Sequence, residues 1–247
     1  MTAPWLRRFH PADDAPVRLV CLPHAGGSAA FFHPISKAIA PAADVLTVQY
    51  PGRQDRMAEP ALRSIPEMAD AITRALVAWS DLPVVLFGHS MGAAIAYELA
   101  LCLEAFGISP AAVVVSGRRA PSRLATEDVH PRGDDALLSE IEGLDGTDPR
   151  ILQDPELREL ILPALRADHE AIQTYRPSPG PLKAPLHAYT GDADSYAPMA
   201  DVAAWAAHTT GDFTITTYPG GHFYLVDHPL ALTASLLKVL GAAARED

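Results

Sequence analysis

A serine at the centre of Gly88-His89-Ser90-Met91-Gly92 is the residue best placed for covalent chemistry in this chain. The apolar run Val84-Val85-Leu86-Phe87 precedes it, and a helical stretch, Ala93-Ala94-Ile95-Ala96-Tyr97-Glu98-Leu99-Ala100, follows. Glycines lack a Cβ, so the chain can turn tightly there and neighbouring backbone can come close. A strand, a sharp turn and a helix in that order lift the Ser90 hydroxyl out at the top of a sheet, as a nucleophile elbow does. A plain Gly/Ser connection would read the same in isolation. The flanking strand and helix favour the elbow.

A serine hydroxyl is a weak nucleophile at neutral pH. It needs a base to take its proton and a third group to orient that base. Downstream, one apolar run ends in Gly191-Asp192-Ala193-Asp194 and another in Pro219-Gly220-Gly221-His222. Both lie just past a strand, on the sheet edge where open α/β sheets build their sites. The order serine, acid, histidine matches that of elbow-bearing sheets. His222 is the expected base. Its rival His228, in Asp227-His228-Pro229, reads as the start of the last helix. Asp192 and Asp194 both stand open as the acid, because either could instead shape a turn. Upstream, Pro23-His24-Ala25-Gly26-Gly27-Ser28 bends at a strand end. This loop suits the second half of an oxyanion hole, with backbone N–H groups from Ala25 and Met91. A phosphate loop is the competing reading, but the Lys of that motif is missing. His24 reads as structural.

These groups need a sheet to hold them. Short apolar segments at 17–22, 45–49, 84–87, 112–116, 186–190 and 213–218 alternate with helical patterns at 65–79, 91–106, 199–207 and 230–244. That alternation predicts an α/β fold with a mostly parallel central sheet and helices on both faces. The strand rhythm stops between 118 and 180. That stretch offers a short helix over 134–141, ended by Gly143, and a longer one opened by Asp154-Pro155, in which Pro163 is an awkward fit. We expect residues 1–247 to form one domain, with residues 118–180 inserted as a helical lid.

The 247 residues are 49% hydrophobic and 20% charged, enough for a sizeable core. A formal net charge of −11 argues against nucleic acid, whose phosphates call for Lys and Arg. No apolar run reaches the ~20 residues of a membrane span. The N-terminus lacks a signal-like apolar core, so a cytoplasmic location is expected. Cys21 and Cys102 suit neither a disulfide framework nor a metal site. Among the ten histidines no helical metal spacing occurs, and His10, His33, His130 and His208 are given no role.

Taken together, the motifs resemble the type II thioesterases, the discrete editing enzymes of polyketide and nonribosomal peptide assembly lines. The matching segments are Leu22-Pro23-His24-Ala25-Gly26-Gly27, Gln49-Tyr50-Pro51-Gly52-Arg53, Gly88-His89-Ser90-Met91-Gly92, Gly191-Asp192-Ala193-Asp194 and Gly220-Gly221-His222-Phe223. The resemblance implies the α/β-hydrolase fold with a helical lid, and it selects Asp194 as the acid. It also implies hydrolysis of acyl groups from the phosphopantetheine arm of acyl or peptidyl carrier proteins, with no metal or organic cofactor. Arg118, Arg119, Arg123 and Arg53 are candidates for carrier docking on an otherwise acidic chain. A monomer is expected, because a carrier-borne arm needs an open entrance. The alternatives are a general carboxylesterase or acyltransferase of the same fold, or, more distantly, a non-catalytic binding module.

Overall fold

Apolar runs without polar alternation become strands covered on both faces. In the computed structural model, which describes residues 5–123, 133–134, 137–138 and 154–245, those runs form β2 (Arg18–Leu22), β3 (Asp44–Val48), β4 (Val84–His89) and β5 (Ala112–Ser116), each buried throughout. Two further strands, β6 (Leu186–Gly191) and β7 (Phe213–Tyr218), follow later in the chain. A two-residue strand, β1 (Leu6–Arg7), was too short to show any period in the sequence. The sheet order is β1-β3-β2-β4-β5-β6-β7. Only β1 runs antiparallel to its neighbour. The expected fold class is therefore the one observed.

Alternate residues of each central strand enter two separate cores. Val20, Leu22, Leu86, Val113 and Val115 face α2 (Ile65–Leu76) and α3 (Met91–Ala105). Leu19, Cys21, Val85, Phe87 and Val114 face α1 (His33–Ile39) and a C-terminal helix at Pro229–Ala243. Helix α2 begins at Ser64, whose side chain accepts from the Glu67 N–H, and carries Pro66 in its first turn, where a missing N–H costs nothing. Helix α3 is apolar on nearly every side because it lies across the centre of the sheet.

Between β5 and β6 the described residues contain no strand. They include a 3-10 turn at Pro121–Arg123 and α4 (Pro155–Thr174), which the Asp154 carboxylate caps through Glu156 N–H and Leu157 N–H. The helix continues through Pro163. Burial along it starts at Ala164, so its first turns extend past the packed core. Most of the short helix expected over 134–141, together with Gly143 and His130, lies outside the described residues. The expected helix over 199–207 divides into α5 (Met199–Ala203) and a 3-10 segment, Ala204–His208. There Trp205 is buried and its Nε1 donates to Arg118 O. A four-residue helix, α6 (Tyr224–Asp227), precedes α7 (Pro229–Ala243).

Glycine fixes where the elbow sits. A Cβ on Gly92 would fall 2.0 Å from the Leu22 carbonyl oxygen, and one on Gly88 would fall 2.0 Å from Gly92 O. Both obstacles are backbone, so neither can swing away. We expect Gly92→Ala to cost about 3 kcal/mol or more, at or beyond the upper end of core overpacking. Gly133→Ala, with nothing among the described residues within 4 Å of its added methyl, serves as the control. Urea unfolding of both variants checks this, and equal stabilities would contradict it.

Candidate active site

Ser90 stands between β4 and α3 with φ 54 and ψ −114, a conformation an L-residue adopts only when its surroundings enforce it. The enforcement is visible: Ser90 N–H donates to Ser116 O on β5 at 2.8 Å, and Ala93 N–H donates back to Ser90 O at 3.0 Å. The side chain is half-buried, and among the described residues its hydroxyl has no hydrogen-bond partner. It is open to an incoming carbonyl. Hydrogen bonds to a catalytic base often form fully only with substrate present.

The loops after β6 and β7 are tied into one unit. Asp192 N–H donates to Tyr218 O, Ala193 N–H to Gly220 O, and Gly220 N–H to Asp192 Oδ1. Asp192 is thus spent on the turn. Asp194 is 5% exposed and uses both oxygens: Oδ1 accepts from Tyr196 N–H at 2.9 Å and Ala197 N–H at 3.2 Å, while Oδ2 pairs with His222 Nδ1 at 2.9 Å. Two backbone donors hold the carboxylate still, so it can fix the imidazole in one orientation. His222 lies beside the elbow. Its ring centroid is 4.9 Å from that of His89, and its Cε1 would be 3.2 Å from a Cβ on Gly117. Gly117 follows the very residue that holds the Ser90 amide. His228 takes another place: its carbonyl accepts from Leu232 N–H at the start of α7.

Behind His222 stand two more imidazoles, His89 and His24. The first is fully buried, with Nδ1 on Ser116 Oγ at 2.9 Å, and that hydroxyl continues to Tyr224 OH at 2.6 Å. His24 is packed edge-on between Phe31 and Phe223. Burial, with His222 adding to it, holds His89 well below the usual imidazole pKa. For His24, burial first and His222 second press the pKa down to about 3. Both are therefore held neutral at neutral pH.

The early loop forms a tight turn: Gly27 N–H donates to His24 O at 3.0 Å, and Gly26 takes φ 74, as the second corner of a type II turn requires. The segment Gln49–Arg53 encloses this turn. Tyr50 OH donates to Pro23 O at 3.1 Å, and Arg53 Nη1 to Gly27 O at 3.2 Å. From α4, the Asp168 carboxylate accepts from Gly26 N–H at 2.7 Å and from both Arg53 Nη atoms at 2.7 and 2.8 Å.

One of the proposed docking arginines needs correcting. Arg53 is 6% exposed and committed to Asp168 and Gly27, so it offers no free charge to a partner. Arg118 is half-buried, and burial draws its guanidinium down to about 10. Arg119, whose Nε reaches Tyr196 O, and the exposed Arg123 remain at the surface. Asp168 went unread in the sequence. Its signal was a lone acid within the apolar stripe Ala164, Leu165, Ala171 and Tyr175.

Comparison with known proteins places the chain in a family. A model of the thioesterase domain matches residues 17–240. The chain belongs to the thioesterase family. It is 51% identical over 227 residues to the thioesterase PikA5 of Streptomyces venezuelae, covering 90% of this chain and 80% of that one. The type II thioesterase BorB from the borrelidin biosynthetic cluster superposes with a TM-score of 0.90 at 48% identity, covering 97% of this chain and 99% of BorB. YbtT, a type II thioesterase of the yersiniabactin NRPS/PKS pathway, superposes with a TM-score of 0.85 at 28% identity, over 97% and 99% of the two chains. The thioesterase is accordingly a thioester hydrolase of the α/β-hydrolase fold.

The neutral histidines make a testable demand on stability. In the unfolded chain His24 takes up a proton near pH 6.5, whereas in the folded thioesterase it does so only near 3. The stability is therefore whole above about 6.5 and is lost as the pH falls below it. At pH 5 His24 alone should account for a loss on the order of 2 kcal/mol. Urea unfolding at pH 7 and pH 5 should show the difference shrinking by about that amount in His24→Gln. An unchanged difference would refute the assignment.

Proposed function

We propose that this thioesterase is an editing enzyme that frees acyl groups stalled on the phosphopantetheine arm of acyl or peptidyl carrier proteins. The observation that carries the reading is the Asp194 carboxylate, clamped by two amides and joined to His222 beside a strained Ser90. Ser90 Oγ attacks the thioester carbonyl carbon as its proton passes to His222. Charge gathers on the carbonyl oxygen between the Ala25 and Met91 N–H groups. The C–S bond then breaks, and the sulfur leaves as a thiol with the proton from His222. Water yields a proton to His222 and adds to the acyl carbon. The acid departs and Ser90 regains its proton. Asp194 stabilises the imidazolium in both halves. Side chains and amides supply every charge and proton these steps use, so the reaction calls for no cofactor.

Residues 118–180 act as a lid on a single domain, with α4 as part of its wall. The enzyme works as a monomer, which leaves the entrance open to a tethered arm. We place it in the cytoplasm, in keeping with free cysteines at 21 and 102.

Ser90→Ala should lower kcat by roughly 10⁴–10⁶ on acyl-carrier protein with the fold intact, as loss of a triad nucleophile does. Retained turnover by Ser90→Ala would end the covalent reading. Arg119 and Arg123 are the surface cations that would meet an acidic carrier. Replacing both with Ala should raise KM for acyl-carrier protein several-fold and leave KM for a short acyl thioester unchanged. Equal changes on both substrates would remove the docking role.

A further inference from the structure

An oxyanion hole is only as good as the direction of its N–H groups. In the turn His24–Gly27 two consecutive peptide planes set the direction of the Ala25 donor. A trans peptide carries its C=O and N–H antiparallel. The bond from Gly27 N–H to His24 O at 3.0 Å turns that carbonyl into the turn, so the Ala25 N–H of the same plane faces outward. The next plane is held by Gly26 N–H, which donates to Asp168 Oδ2 at 2.7 Å. Glycine at 26 leaves room for this grip: a Cβ there would sit 3.2 Å from Leu165 Cδ1, also on α4. The helix therefore touches the turn at two successive positions of one face, Leu165 and Asp168.

Asp168 could not stand there as a bare charge. It is fully buried, and the bidentate guanidinium of Arg53 neutralises it while binding Gly27 O on the far side of the turn. Arg53 lies over the Tyr50 ring at 5.1 Å, and Tyr50 OH holds Pro23 O, the carbonyl before the turn. Farther along, Tyr175, just past the end of α4, donates its hydroxyl to the buried Glu98 carboxylate on α3, the helix that Ser90 leads into. This end of α4 is thus pinned to both halves of the hole: Asp168 to the turn that carries Ala25, and Tyr175 to the helix that begins at Met91.

We propose that Asp168 is a positioning residue of the oxyanion hole, and that the second half of α4 is a fixed wall of the active site rather than a moving flap. The inference rests on the reading of Ala25 and Met91 as the oxyanion donors. Its consequence is a loss of transition-state stabilisation, not of binding. A donor displaced by a fraction of an ångström has a large effect on an interaction that matures only as charge develops.

The test compares wild type, Asp168→Asn and the double variant Arg53→Met with Asp168→Leu. The readouts are Tm, kcat and KM on a short acyl-N-acetylcysteamine thioester and on a p-nitrophenyl ester, and affinity for a trifluoromethyl ketone analogue of the acyl group. Asp168→Asn should lower kcat roughly 10–100-fold with KM within a few-fold, and weaken the ketone in parallel. The double variant replaces a buried ion pair with apolar groups and should regain most of the Tm lost by Asp168→Asn. Its kcat should stay low, because leucine at 168 leaves Gly26 N–H without any acceptor. Recovery of kcat together with Tm, or a KM rise that accounts for the whole defect, would overturn the positioning role. Wild type that cleaves the oxygen ester but not the thioester would instead count against the thioesterase function, and the variant comparison would still be decided on the ester.

Discussion

The structure depends on one contact between bare backbones, Gly92 against the carbonyls of Leu22 and Pro23. It brings the first turn of α3 against the end of β2. The Met91 N–H and the turn that carries Ala25 consequently lie at the same end of the sheet. No side chain could serve there, because even a Cβ would fall 2.0 Å from the Leu22 carbonyl oxygen, which is main chain. The strain at Ser90 follows from the same closeness. A helix that begins so near the neighbouring strand can be reached only through a left-handed serine, and the Ser116 carbonyl holds that serine in place.

The elbow is a fixed point around which three other loops are set by short backbone bonds. The loops after β6 and β7 are bonded to each other, so Asp194 and His222 sit on one joined unit. The turn after β2 is gripped on one side by Gln49–Arg53 and on the other by α4. Such an arrangement suits a reaction whose difficulty lies in a short-lived negative oxygen. Preorganised dipoles help because they need no reorganisation when the charge appears. The buried Arg53–Asp168 pair fits this picture. A pair of this kind adds little net stability by itself, since desolvation offsets attraction. What it provides here is direction, for the Gly26 amide and the Gly27 carbonyl.

Charge elsewhere in the site is kept low. His24 and His89 are aromatic walls that burial holds neutral, and Tyr224 and Ser116 complete the chain of polar groups that supports His89. A second cation beside His222 would oppose the imidazolium that the proposed mechanism forms on it. Their neutrality fits the proposal that proton transfer falls to His222 alone.

Local physics made much of this legible in the sequence. Unbroken apolar runs predicted the buried parallel strands, and glycines bracketing a serine predicted the elbow. Asp154-Pro155 predicted the start of α4 through its cap and its proline. Strand ends followed by Asp and His placed those residues on the correct edge, because period and turn chemistry act over a few residues. Strand ends alone left Asp192 and Asp194 undecided; in the fold the first bonds to Gly220 N–H and the second to His222. Arg53 looked like a surface cation, and Asp168 like one more polar residue on a helix. Each owes its place to a partner 115 positions away along the chain. A pattern confined to one segment cannot show which distant segment will neutralise a charge, and only packing α4 against the early turn decided that.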